Sequence, residues 1–303
     1  MKYVFSIVVL FLFSCSTDSE IENVNTGTQI SGYKITINSQ STDINFPYQG
    51  QTIYKGIVQN EKILEINEEF FNNGVSQGVN VNASFTYQGN LLVSHMDHVA
   101  PNVGETRTRN FYYDSNSKLV GSTMIINGEE SYYRFNHVTN DLIYYEYVSL
   151  PYNDPNAQIL SRYIAVFEGD DIVQAGRDSN LDGVMENVNH FQYSNGNLIS
   201  ANSSTESITI AYSNVINNMN VLYDNSFGKK NNRITCIPKF SLSGFQSVAL
   251  GYSKNLTNDE LLEFTYEVHP SNYYHLKSNS YTNGPPAINF NATITHTTEF
   301  FFN

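Results

Sequence analysis

Tyr193-Ser194-Asn195-Gly196-Asn197-Leu198-Ile199 sets an aromatic residue before a short polar turn and aliphatic residues after it. Tyr87-Gln88-Gly89-Asn90-Leu91-Leu92 keeps the same order, as does Tyr113-Asp114-Ser115-Asn116-Ser117-Lys118-Leu119-Val120. Asn and Gly tolerate positive φ, and Asp and Ser bond their own backbone, so each polar segment is a tight turn. The aromatic residue then ends one strand and the aliphatic residue opens the next. Phe135 to Ile143 and Phe167-Glu168-Gly169-Asp170-Asp171-Ile172-Val173 are looser copies. The aliphatic positions 91, 119, 142, 172 and 198 lie 28, 23, 30 and 26 apart, too uneven for a solenoid of fixed coil length. One unit is one hairpin, and successive units make an antiparallel meander.

Alternation supports this outward from the turns. Tyr33-Lys34-Ile35-Thr36-Ile37, Phe85-Thr86-Tyr87, Ile208-Thr209-Ile210-Ala211-Tyr212 and Ala292-Thr293-Ile294-Thr295-His296 are rich in β-branched and aromatic residues. The expected fold is all-β: a meander of consecutive hairpins forming a large curved sheet or barrel-like shell. Few short helices are expected, at Leu242 to Leu250 and at Asn258 to Glu263 behind an Asn258 cap, while Tyr223-Asp224-Asn225 reads as the start of a loop. No linker divides 32–303, which reads as a single β-rich domain with a possible subdomain break near 220–240.

The chain has 303 residues and a formal charge of −13, so it lacks the basic footprint of a nucleic-acid binder. Its 22 Tyr and 19 Phe supply ample material for a core. At the N-terminus Lys2 precedes an apolar run from Tyr3 to Phe13. That run is too short to span a bilayer as a helix and suits a secretory signal over 1–14. Loss of Lys2 with the signal makes the mature chain more acidic still, so basic residues do not hold it to a membrane. Only Cys15 and Cys236 occur. Cys236, alternating with Ile234 and next to Ile237, reads as a buried, inert thiol.

Leu12-Phe13-Ser14-Cys15 resembles the lipobox of bacterial lipoproteins, in which the cysteine is acylated and becomes the new N-terminus. Ser16-Thr17-Asp18-Ser19-Glu20 is similar to the surface-export signal of Bacteroidota lipoproteins. The resemblance implies lipidation of Cys15, a flexible tether over 15–31, and an outer-membrane address at the cell surface, with the membrane as first partner. The turn units resemble YD (Rhs-type) repeats, departing from them at Ser117, Gln88 and Ser194. A similar degenerate pattern occurs in Bacteroidota lipoproteins with a porin-like fold, which implies an all-β shell over roughly 60–300.

The strongest local motif for chemistry is Asp178-Ser179-Asn180-Leu181-Asp182-Gly183-Val184-Met185-Glu186. Oxygen side chains at positions 1, 3 and 5, Gly at 6 and Glu at 9 suit a Ca²⁺ loop on a hairpin, with Asp178, Asn180, Asp182, the Val184 carbonyl and Glu186 as ligands. The same residues also make an ordinary Asn/Asp/Gly turn. His95-Met96-Asp97-His98 places His95 and Asp97 on one strand face, too few ligands for a zinc site. Gly74-Val75-Ser76-Gln77-Gly78 spells a nucleophile elbow, but a hairpin context denies it the strand-to-helix turn that motif requires. Glu129-Glu130 and Asp170-Asp171 read as solvated turn acids, although a glycoside hydrolase needs only that two carboxylates meet in the fold. The rows Phe111-Tyr112-Tyr113, Tyr132-Tyr133, Tyr144-Tyr145 with Tyr147, and Tyr273-Tyr274 stiffen the sheet or offer stacking surfaces. No catalytic motif stands complete. The leading expectation is a lipid-anchored envelope protein presenting a binding or structural surface to an envelope protein or glycan. A glycan-binding accessory lipoprotein of a nutrient-uptake system, a glycoside hydrolase and an integral barrel are the alternatives.

Overall fold

The computed structural model describes residues 29–41, 48–100, 105–241, 253–257, 265–268, 275–283 and 292–303. The signal segment, Cys15, the two expected helices at 242–250 and 258–263, and Tyr273-Tyr274 lie outside them. The chain begins with β1 (Ile30–Ser41), β2 (Tyr48–Gln59), β3 (Lys62–Asn72), β4 (Val75–Gln88) and β5 (Leu91–Ala100). It continues through β6 (Glu105–Tyr113), β7 (Leu119–Ile126), β8 (Glu129–His137), β9 (Leu142–Val148) and β10 (Ile159–Glu168). Then come β11 (Asp171–Asp178), β12 (Glu186–Ser194), β13 (Asn197–Asn202), β14 (Ser207–Thr209) and β15 (Tyr212–Ile216). Two helices follow, α1 (Asn218–Phe227) and α2 (Lys229–Ser241). The last strands are β16 (Asn255–Thr257), β17 (Thr265–Val268), β18 (His275–Asn283) and β19 (Ala292–Phe302).

Seventeen strands form one antiparallel sheet. β1 to β14 pair in chain order, and β19 closes onto the free side of β1, carrying β18 and β17 with it. The expected meander is therefore present. β15 and β16 make a separate ribbon.

The turns sort onto two rims. The units quoted above all lie on one of them, the tight rim: Asn60-Glu61, Gly89-Asn90, 114–118, 138–141, Gly169-Asp170 and Asn195-Gly196. Positive φ at Asn60, Glu61, Asn195 and Gly196 gives the twist that two-residue hairpins require. Ser117, where a YD unit carries glycine, takes φ 63°. The far rim carries the Asn73-Gly74 turn and the longer 149–158 and 179–185 connections.

Four of the five units have a further device. A bulge precedes the closing aromatic residue at Thr86/Tyr87, Tyr112/Tyr113, Val166/Phe167 and Gln192/Tyr193. Tyr87 donates its hydroxyl to the Ile63 carbonyl at 2.8 Å, and Tyr113 to Leu92 at 2.7 Å. His137 bonds the Leu119 carbonyl at 2.8 Å, and Tyr212 the Leu198 carbonyl at 2.7 Å. At these four places an aromatic side chain thus takes up the carbonyl of a buried aliphatic residue earlier in the chain. That pairing accounts for the aromatic and aliphatic residues around the turns where it forms.

The helices correct two expectations. Tyr223-Asp224-Asn225 is helical, and Cys236 lies in α2, buried as expected but not on a strand. α1 is capped by Asn217, whose side chain accepts from the Asn220 N–H, and Pro238 sits in the last turn of α2. Together α1 and α2 touch strands from β3 to β12. Laid flat, those ten strands would span about 43 Å, while the helices are only about 15 and 20 Å long. The sheet therefore curls around them. Leu222, Phe227, Ile234, Ile237 and Phe240 join Ile63, Leu119, Ile143, Ile172 and Leu198 in one core on the concave face. Phe227 meets Phe111 at 4.6 Å, and Asn189 donates to the Phe240 carbonyl at 2.6 Å.

Candidate functional site

Period-two alternation decides which side chains the curled sheet turns inward. Toward the far rim, beyond the helices, the concave face becomes polar. Tyr54 on β2 and Glu68 on β3 stand opposite each other, and the Tyr54 hydroxyl donates to Glu68 Oε1 at 3.1 Å. Burial raises the Glu68 pKa, opposed by that hydrogen bond and by His98. Asp97 on β5 receives Arg107 of β6, Nε on Oδ1 at 3.0 Å and Nη2 on Oδ2. Asp97, on the face judged too sparse in ligands for zinc, is buried and engaged by a guanidinium. His95, on the same face, stacks on Phe85 at 4.5 Å. Its pKa falls to about 4, chiefly through burial and then through Arg107 and Arg109, against the pull of Asp97.

Next along the row Arg109 reaches Ser122 Oγ with Nε at 3.3 Å and lies over the rings of Phe111 and Tyr133, 5.5 Å from each. Tyr133 in turn packs against Tyr145 at 5.5 Å and Tyr147 at 5.6 Å, and Tyr145 against Tyr163 at 6.3 Å. The concave face therefore holds two arginines, two acids and a run of tyrosines. Of these, sequence reading singled out His95, Asp97, Tyr133, Tyr145 and Tyr147, and missed Arg107, Arg109, Tyr54, Tyr163 and Glu68.

The convex face carries the Asp178–Glu186 loop. Asp178 Oδ1 accepts the Asp182 N–H at 3.1 Å, and its Oδ2 accepts Gly183 N–H and Arg162 Nη1, both at 3.0 Å. Glu186 reaches back to the Ser179 N–H at 2.9 Å, and Asp182 Oδ1 takes the Val184 N–H at 2.8 Å. The side chains foreseen as ligands bond the loop's own backbone and one another, Arg162 shares Asp178 with them, and among the described residues no three acids or histidines are grouped as a metal site would need. Arg162 also bonds Glu146 Oε1 at 2.9 Å, and Arg134 takes Glu146 Oε2 at 2.7 Å. Arg134, Glu146, Arg162 and Asp178 are direct cross-strand partners on β8 to β11, giving a row of alternating charge. Glu146 is 1% exposed.

The remaining motifs resolve as follows. Ser76 lies on β4 after a hairpin turn and donates to Glu69, so the nucleophile-elbow spelling has no elbow. Glu129 and Glu130 are exposed at the start of β8. Asp171 departs from expectation: it is buried, facing Lys229 at 3.7 Å and Arg233 at 3.8 Å on α2, where it ties the helix to the tight rim. Phe300 turns inward onto Tyr33 at 6.1 Å, and Phe301 is half exposed.

No protein-family model matches this chain, and no curated protein matches it. Among solved structures, the crystal structure of a porin-like protein from Bacteroides uniformis aligns over 90% of this chain and 98% of its own length, with 8% identity and a TM-score of 0.28.

Proposed function

We propose that this is a lipid-anchored outer-membrane protein whose shell stands outside the bilayer and binds a ligand on its concave face, with no catalytic role. The observation carrying this reading is the chemistry of the convex face. Lys34 pairs with Glu299 across β1 and β19 at 3.4 Å, Lys55 is exposed on β2, and Arg134 and Arg162 follow on β8 and β10. A Lys or Arg on the lipid face at the bilayer midplane costs about 2–4 kcal/mol. Such a wall is adapted to water, so attachment falls to acylated Cys15. Among the described residues no helix is long and apolar enough to cross a membrane.

Orientation follows from the path of the chain. Asn303 N–H bonds the Gln29 carbonyl at 2.9 Å, so both ends leave from the tight rim. The tether before Gln29 reaches about 20 Å as a flexible coil. The tight rim then faces the membrane and the far rim, with the tyrosine-lined concave face, looks away. A glycan is the favoured ligand class because tyrosine faces and hydroxyls occur together there. In the 178–186 loop we keep a structural Ca²⁺ site as a proposal: Asp178, Asn180, Asp182 and Glu186 supply the oxygens, with Arg162 as the competing cation. The topological reading is tested by maleimide-PEG labelling of intact cells carrying Gln77→Cys on the far rim or Ser115→Cys on the tight rim. Gln77→Cys should react several-fold faster, and preferential labelling of Ser115→Cys would overturn the orientation.

A further inference from the structure

Arg109 differs from its neighbours in having no acid to face. Arg107, Arg134 and Arg162 each bond a carboxylate, and Arg233 faces Asp171. Arg109 bonds the Ser122 hydroxyl through Nε, interacts with the Tyr145 hydroxyl and touches two aromatic rings, but no carboxylate reaches it, and its Nη2 makes no well-formed hydrogen bond. The Asp97 charge beside it is already taken by Arg107. His95, opposite it on β5, is neutral at pH 7. Arg109 is therefore an arginine of this face without a carboxylate partner among the described residues, and the side chain as a whole keeps part of its surface open. A guanidinium donor held away from water without an acceptor is costly, and its planar fork matches the paired oxygens of a carboxylate or sulfate.

We propose that Arg109 seats the acidic group of a carbohydrate whose ring packs against the tyrosines beside it. Tyr133 adjoins Arg109 directly and Tyr147 extends the half-buried aromatic surface toward the far rim, both packed on Tyr145 or its neighbours in the core beneath. Their hydroxyls can bond sugar hydroxyls while their faces cover C–H groups. The chain as a whole carries −13, which disfavours general adhesion to polyanions, so recognition is local and reads one acidic group. This rests on the binding reading above and names the ligand class for that site.

Calorimetry on the detergent-purified full-length protein tests it, using a galacturonic acid trisaccharide, a sulfated galactose oligomer, neutral galactotriose and inorganic sulfate. At least one acidic sugar should bind. Arg109→Gln should weaken that binding by about 30-fold and leave any neutral-sugar binding unchanged, with Arg109→Lys in between. Unaltered melting curves of both variants would show that the fold is kept. Equal binding of acidic and neutral sugars, equal binding by wild type and Arg109→Gln, or no binding by any probe would overturn the proposal. Inorganic sulfate binding as tightly as either acidic sugar would also overturn it, because the site would then read a free anion. The labelling experiment on the two rims stands independently of all these outcomes.

Discussion

Replacing Tyr113 by Phe removes a single oxygen from the device that links one hairpin unit to the next. The Tyr113 hydroxyl donates to the Leu92 carbonyl at 2.7 Å, and Leu92 is 3% exposed, so no water takes its place. Tyr113 lies beside the bulge at Tyr112/Tyr113, and burial pushes its pKa well above the usual tyrosine range, with Tyr87 adding to the shift. Leaving a buried carbonyl without its donor costs about 1–3 kcal/mol. Removing the hydroxyl from its own desolvated position returns part of that, so we expect a net loss of about 1 kcal/mol, or roughly 2–4 °C in Tm. Tyr212→Phe breaks the corresponding bond to Leu198 and a second one to Ser253 Oγ at 2.6 Å, so it should cost at least as much. The double variant should lose the sum to within about 0.5 kcal/mol. Urea unfolding with matched m-values is the assay. If both single variants stay within 0.3 kcal/mol of the wild type (roughly the additivity limit), the hydroxyl-to-carbonyl link does not explain the repeat.

Three further outcomes follow from the site geometry. Glu146→Gln leaves Arg134 and Arg162 sharing a neutral group at a position 1% exposed, and should destabilise by about 3–5 kcal/mol in urea unfolding. His95 has a folded pKa of about 4 against an ordinary 6.5, so the unfolded chain takes up its proton first as pH falls. Its contribution is complete above pH 6.5 and is lost toward pH 4, by up to about 3 kcal/mol. His95→Gln should flatten stability across that window, and an unchanged slope would refute the assignment. For the 178–186 loop, millimolar Ca²⁺ should raise Tm and Asp182→Ala should abolish the rise, while equal Tm with and without chelator would retire the site.

The hairpins were legible because their turns need particular residues. Asn-Gly and Asp-containing turns announce positive φ wherever they fall, and Asn195-Gly196 and Asn127-Gly128 both adopt it. The helices were hidden. Asn218 to Phe227 is rich in Asn, a poor helix former, and its helix is held by tertiary bonds such as Asn220 to the Ser253 carbonyl at 2.7 Å. In α2 the alternation of Ile234 and Cys236 imitated a strand, while the residues packed into the core, Ile234, Ile237 and Phe240, step by three.

The charged row was present in the sequence in a form that only hairpin symmetry exposes. Residues 134 and 146 are equidistant from Asn140, and 162 and 178 are equidistant from Asp170, so each pair faces across its hairpin. Arg109 carried no such signal. Its role depends on what is missing beside it, and that emerges only when Asp97 is seen to belong to Arg107.

The central claim is that lipid on Cys15, and not the strands, holds this shell to the membrane. Sodium carbonate extraction of membranes from cells expressing the full-length protein or its Cys15→Ser variant tests it most directly. The account predicts wild-type protein in the carbonate-resistant pellet and Cys15→Ser in the soluble fraction with an unchanged melting curve. Folded Cys15→Ser protein remaining in the pellet would contradict it.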